Sequence, residues 1–289
     1  MIHQRKQLAH QALFKALQVR KERQLELSDP ICIYDLVEQF GVEIRFVSIP
    51  SMEGVYTKSS RPIIILSSER PQVRQVYNCG HEFGHHVFNH GARIDEFVEK
   101  KEMDRVFCPE EFLVECFSGF LLMPQIAVQN AFQVRNWTPN SSTPIQIYTI
   151  AGLFGVGYST LITHMQYSLR ILNPSHAQKL SKIHPKQIKR ELLGKTTNSN
   201  LLVVDQHWRK RPIDIQVEDL ILAPPETFCE GNCVREVYSD RNRNIFMGIR
   251  QGIGRLVNHH FEWASFVRIS KKNYTGWSKY RHLEDPDDE

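Results

Sequence analysis

The chain has 289 residues, 41% of them hydrophobic, and a formal net charge of +4. That places it with ordinary soluble chains, long enough for two or three domains. No apolar run reaches the length of a membrane span, and the opening M-I-H-Q-R-K-Q lacks an apolar signal region. Cysteines 32, 79, 108, 116, 229 and 233 follow no framework spacing, which argues against a disulfide-stapled class. The expectation is a cytoplasmic protein with reduced thiols and no membrane partner.

Residues 1–28 read as an amphipathic helix, with Leu8, Ala12, Lys15 and Leu17 at helical spacing. Its basic residues, Arg5, Lys6, Lys15, Arg20, Lys21 and Arg23, read as a solvated face. Ser28-Asp29-Pro30 breaks the pattern, a second helix runs through Asp35 to Phe40, and Gly41 ends it. Three strand-like runs follow, at 42–49, 54–58 and 63–67, separated by turn residues. They are close enough in sequence to pair antiparallel, as a small sheet whose edge could hold an extended peptide by its backbone.

After Pro71 comes Y-N-C-G-H-E-F-G-H-H-V-F-N-H, residues 77–90. Within it His81, Glu82 and His85 spell H-E-x-x-H. On a helix, residues four apart lie one turn apart on the same face, so both imidazoles reach one metal ion. Glu82, beside the first ligand, is placed to take a proton from an attacking water. His86 is rotated about 100° from His85 on such a helix, and His90 lies more than two turns beyond His81; both are assigned structural roles. Catalytic zinc needs a third protein ligand. A polar connection rich in acids and lysines, residues 91–109, leads to a second helix over 109–124, ended by Pro124. Phe112, Val114, Phe117, Phe120 and Leu121 mark that helix as largely buried, so the carboxylates Glu111 and Glu115 on one face of it are costly without a metal or a charged partner. Glu111 is read as the third ligand. Glu115, one turn on, is read as the acceptor that fixes the tautomer of a ligating histidine.

These stretches resemble the ImmA/IrrE family of metallo-endopeptidases. The likeness rests on P-I-I-I-L-S-S-E-R-P (62–71), on H-E-F-G-H-H, and on E-F-L-V-E-C-F-S-G-F-L-L-M-P ending at Pro124. Counting back from Leu121-Leu122-Met123-Pro124 aligns the family's ligand glutamate with Glu111. Val114 and Glu115 stand where the family usually has Ala and Asn, and Ser118 replaces a small Ala. The likeness covers residues 30–170. It implies a zincin-like fold, a divalent metal and a protein substrate, a repressor of the XRE/Cro-like class.

Past Pro124 the pattern changes. N-W-T-P-N-S-S-T-P (136–144) is a boundary by composition. Residues 145–154, a turn at Gly155-Val156-Gly157, and residues 158–169 read as a helix-turn-helix unit, with Gly155 supplying a positive φ. Its second helix offers few base-reading side chains before Arg170, which supports packing over DNA contact. The basic stretch 176–200 reads as a linker. Residues 201–280 alternate strand-like runs, at 201–204, 236–239, 244–249 and 261–269, with turns, and the tail L-E-D-P-D-D-E reads as disordered. Cys229 and Cys233 have no second pair with which to form a metal site. Trp208-Arg209-Lys210-Arg211 and the other basic runs are more simply a solvated surface than a nucleic-acid arm.

The fold expected is α+β. It comprises a zincin-like peptidase domain with a small antiparallel sheet and metal helices (1–135), a helix-turn-helix-like unit (136–175), a basic linker (176–200) and a mixed α/β C-terminal accessory domain (201–289). The function expected is zinc-dependent endopeptidase in stress-response or mobile-element regulation, with Glu82 catalytic, His81, His85 and Glu111 on the metal, and Glu115 behind them. A His₂Glu site also accepts manganese or another divalent ion. The alternatives are a DNA-binding regulator with a degenerate peptidase fold, and a binding protein with a structural metal; the latter needs a fourth protein ligand.

Overall fold

The apolar alternation of residues 42–67 becomes three strands, β1 (Glu43–Val47), β2 (Met52–Thr57) and β3 (Ile63–Ser67). In the computed structural model, which describes residues 2–91, 93–96 and 107–283, they form the middle of a five-stranded sheet. The pairing differs from the antiparallel set expected. β3 lies between the other two, antiparallel to β2 but parallel to β1. Close spacing in sequence therefore did not fix adjacency: the short link over residues 48–51 carries the chain past the place that β3 later fills. Ser68 secures that arrangement, its backbone N–H donating to the carbonyl of Val47 at 2.8 Å. Two further strands complete the sheet. β4 (Arg93–Glu96) pairs with β2, inside the connection expected to be a loop; residues 92 and 97–106 of that connection lie outside the described residues. The two-residue strand Gly276–Trp277 pairs with β1 from the far end of the chain.

Four helices accompany this sheet: α1 (Ile2–Glu22), α2 (Ile33–Gln39), α3 (Gln72–Val87) and α4 (Pro109–Leu122). Gly41, at φ 75°, follows α2 as expected. The core joins both layers: Val37, Ile44, Ile64, Leu66, Phe83, Val114, Phe117 and Leu121 are all buried. Burial of such side chains is worth about 1.5–3 kcal/mol each and is what holds these helices. The buried stripe of α1 is Ala12, Ala16, Val19 and Arg20. Arg20 therefore leaves the solvated face assigned to it. Its Nε and Nη2 donate to the Leu121 carbonyl at 3.0 and 2.9 Å, and Nη1 donates to the carbonyls of Glu26 and Asp29. The last turn of α4 has carbonyls with no partner within the helix, and Arg20 supplies one. α4 and α5 (Gln125–Gln133) follow one another over a stretch apolar enough by composition to cross a bilayer, contrary to the reading that no run was long enough. Val114, Phe117, Leu121 and Val128 along it are buried in the protein itself.

By contacts the chain divides into Met1–Gln129 with Thr275–Ser278, and Asn130–Tyr274 with Lys279–Glu289. The division thus falls within α5 rather than in the loop at 136–144. The second unit begins with α6 (Pro144–Phe154), capped at its start by Thr143 and Gln146 in a reciprocal pair, and closed by Gly155 at φ 67°. The helix that follows starts as α7 (Tyr158–Thr163) and ends in a π-helical turn, His164–Ser168; its axis makes 99° with that of α6. Tyr158, Leu161, Ile162 and Met165 are buried, while Ser159 and Thr163 are exposed. The stretch expected to be a linker is folded: Asn173 caps α8 (Pro174–Ser181), His184 and Gln187 form the cap of α9 (Pro185–Leu193), and Ile188 is buried.

Residues beyond 200 form two four-stranded sheets rather than a mixed α/β segment. β5 (Leu201–Val203), β7 (Leu220–Ala223), β10 (Asn244–Gly248) and β9 (Val234–Ser239) make one, in that order. β6 (Ile213–Gln216), β12 (Trp263–Ser270), β11 (Gly252–Asn258) and β8 (Phe228–Glu230) make the other. Asp214 on β6 is buried and accepts two hydrogen bonds from Arg268 on β12, at 2.7 and 2.9 Å. The acidic tail from residue 284 on, expected to be disordered, lies outside the described residues.

Candidate metal centre

α3 and α4 meet through small residues. A Cβ added at Gly80 would lie 2.5 Å from Ser118 Oγ, and one at Gly84 would lie 2.8 Å from Val114 Cβ. The missing side chains on α3 therefore make room for Val114 and Ser118, two of the residues that depart from the family's usual pattern. Ser118 Oγ donates to the Tyr77 carbonyl at 2.9 Å, and Tyr77 Oη donates to the Glu115 carbonyl at 3.1 Å. These contacts fix the crossing that sets the first turn of α4 against the middle of α3.

At that crossing His81, His85 and Glu111 converge, with one ligand atom from each within 4.8 Å of the others. His81 Nε2 lies 3.2 Å from Glu111 Oε2, His85 Nε2 lies 3.7 Å from Glu111 Oε1, and the two Nε2 atoms are 3.3 Å apart. His85 is fully buried, and His81 and Glu111 are partly exposed, so the cluster opens on one side. His81, at hydrogen-bond distance, and then His85 hold the Glu111 carboxyl well below the usual carboxylate range, against the opposing effect of burial. Glu111 is thus an anionic donor throughout the neutral range. Two imidazole nitrogens and a carboxylate oxygen, with access from one side, fit a divalent ion such as zinc.

Glu82 faces the sheet. Its side chain lies against Gly54 of β2, where an added Cβ would be 2.7 Å from Glu82 Oε1 and 2.9 Å from Cγ. Glu82 is buried. The neighbouring residue on the strand, Glu53, ties β2 to α3: Asn78 Nδ2 donates to its Oε2 at 2.8 Å, and Arg74 and Arg70 pair with its two oxygens at 3.0 and 3.1 Å. This clamp and the glycine beside it escaped the sequence reading, since neither carries a motif.

The second layer differs from expectation as well. The Glu115 side chain is exposed, and the atom within hydrogen-bond distance of His85 Nδ1 is His90 Nδ1, at 3.0 Å. The reason is the end of α3. Phe88 closes the helix, and Asn89 takes a left-handed conformation at φ 60°. The N–H of His90 then donates to the His85 carbonyl and that of Asn89 to the His86 carbonyl, the double bond pattern of a helix stop with a left-handed residue. The chain reverses and His90 folds back over the last turn, stacked on Phe88. On a continuing helix it would have pointed elsewhere. Asn89, a residue that tolerates φ > 0, was the available signal. His86 turns away from the cluster to Tyr56, 2.9 Å from its Nδ1 to the hydroxyl, and burial lowers its pKa.

Comparison with family models matches residues 37–164 to Peptidase_M78, the IrrE N-terminal-like domain, a metallopeptidase family. The matched span contains four of the sheet's five strands, both ligand helices and α6 and α7. Comparison with curated proteins returns no match.

Proposed function

We propose that this IrrE N-terminal-like domain makes the chain a zinc-dependent endopeptidase that cuts one specific protein, a helix-turn-helix repressor of the XRE/Cro-like class. The observation that carries the reading is the convergence of His81, His85 and Glu111 within 4.8 Å, with Glu82 next to the first of them in the chain. Those three residues would hold the ion. When bound there, zinc supplies Lewis acidity, which acidifies water and draws electron density from a scissile carbonyl. Glu82 takes a proton from the attacking water and delivers it to the departing amide nitrogen. The C–N bond is thereby replaced by a C–O bond, and the products are a carboxylate and an amine. Manganese or another divalent ion suits the same donors.

Selectivity for one repressor has a physical basis. A sheet that holds an extended segment by its backbone accepts any sequence, so discrimination comes from pockets and from surfaces outside the cleft. The residues beyond 200 are more than the peptide-cutting chemistry requires and supply such a surface. The test incubates zinc-loaded protein with candidate repressors and with casein, and maps cuts by mass spectrometry. A single cut in one repressor, absent with Glu82→Gln, is expected. Cleavage that persists in Glu82→Gln rules out the chemistry; efficient digestion of casein with no preference rules out the substrate.

A further inference from the structure

We propose that His90 is the positioning residue for the ligand His85: its Nδ1 accepts the Nδ1 proton of His85 and so presents the lone pair of His85 Nε2 to the metal. The proposal rests on the metal-site reading above. It begins from a tautomer constraint. His85 Nε2 faces His81 Nε2 and Glu111, 3.3 and 3.7 Å away, so Nε2 is the atom that must carry a free lone pair when a cation is held. A neutral imidazole has one proton, which then sits on Nδ1. His85 is fully buried, and a buried donor left without an acceptor costs about 1–3 kcal/mol. Ligating histidines generally donate that proton to a carboxylate, a carbonyl or water. Here Glu115 is exposed, and His90 Nδ1 stands 3.0 Å from His85 Nδ1.

The backbone shows how His90 is held there. The reversal at Asn89 fixes its Cα over the last turn of α3, through the 2.9 Å hydrogen bond from the His90 N–H to the His85 carbonyl. The ring is held by stacking on Phe88, with centroids 5.9 Å apart and planes inclined by 21°, and it meets the His85 ring edge-on at 5.2 Å. Asn89 itself accepts from Lys58 Nζ at 2.6 Å, which anchors the reversal to the residue just after β2. A histidine in this role differs from a carboxylate: it adds no charge to the site, and it accepts on Nδ1 only while its own proton is on Nε2.

The experiment compares wild type, His90→Ala and His90→Asn by zinc competition titration, together with the thermal unfolding of each metal-free protein. Asn places an acceptor oxygen where Nδ1 stood, whereas Ala places none. His90→Ala is expected to raise the zinc Kd about 10- to 100-fold, with His90→Asn recovering most of that loss. A wholly structural role predicts that both variants lower the metal-free melting temperature and that Asn rescues no affinity; that pattern, or an unchanged Kd in His90→Ala, overturns the proposal. A second readout needs no variant: ¹⁵N spectra of the zinc-loaded wild type should show protons on His85 Nδ1 and His90 Nε2. A proton on His85 Nε2 overturns the assignment. Wild-type protein that binds no zinc instead overturns the metal-site reading, and this proposal with it.

Discussion

Gly54 leaves the space that the Glu82 carboxylate occupies: a Cβ on that residue would stand 2.7 Å from Glu82 Oε1. The glycine is not at a positive φ, so its lack of a side chain, not its backbone freedom, is what this position requires. Glu53 beside it pins the strand to α3, which leaves β2 little freedom to retreat.

A methyl group at residue 54 therefore moves Glu82 rather than the strand. Gly54→Ala should keep its metal and lose turnover by about 10²-fold, the scale expected for a misplaced catalytic group. Steady-state kinetics with metal analysis checks this. Metal loss in parallel with activity would show that the substitution disturbs the ligands, and wild-type turnover would show that Glu82 tolerates displacement.

The ligand assignment has its own test. His85→Ala or Glu111→Ala should abolish stoichiometric zinc, while Glu115→Ala should retain it, because the Glu115 side chain faces solvent. Elemental analysis after gel filtration decides. Full occupancy in Glu111→Ala would move the third ligand elsewhere.

Much of this site was legible because its chemistry is local. H-E-x-x-H needs only a helix, and Glu111 needed only the count back from Leu121-Leu122-Met123-Pro124. What escaped depended on where an element stops or whom it meets. His90 was misplaced because α3 was carried on past Phe88. Arg20 was read as solvated because a basic residue in an amphipathic helix usually is; its burial depends on the Leu121 carbonyl, 101 residues away. β6 was missed because Asp214 interrupts its apolar run, and that buried Asp is tolerated through partners distant in sequence, Arg268 on β12 and Arg281. The parallel pairing of β1 with β3 likewise depends on partners no local pattern encodes.

Arg20 gives a stability prediction. Burial lowers its pKa to about 10, so it remains a cation at neutral pH, and it serves three buried or half-buried carbonyls. Arg20→Met keeps the aliphatic volume and removes every donor. The loss should be about 3 kcal/mol or more, with Arg20→Lys intermediate because one ammonium cannot match the fork. Urea unfolding measures it. Since α4 carries Glu111, zinc affinity should fall along with stability. A change below about 0.5 kcal/mol would mean that water replaces the guanidinium at no cost.

The last prediction concerns acid. His282 is buried, and burial first, then the charge of Arg281, lowers its pKa from 6.5 to about 3, although Asp214 pulls the other way from 3.5 Å. The unfolded chain accepts a proton on His282 as pH falls through 6.5, and the folded chain refuses it until about pH 3. Between those limits the unfolded state binds more protons, so stability drops with falling pH, by at most about 1.4 kcal/mol per pH unit for this one group. Asp214 acts lower down. Burial raises its carboxyl, but the hydrogen bond from Arg268 and the charges of Arg281, Arg268 and Arg211 hold it below the usual range, so its contribution is kept above pH 3.8 and lost only in stronger acid. His282→Phe keeps a ring and removes the titration. The urea midpoint of the wild type should fall between pH 8 and pH 5, and that fall should be smaller in His282→Phe. An equal fall in both proteins would show that other groups carry the acid sensitivity and that residue 282 is silent.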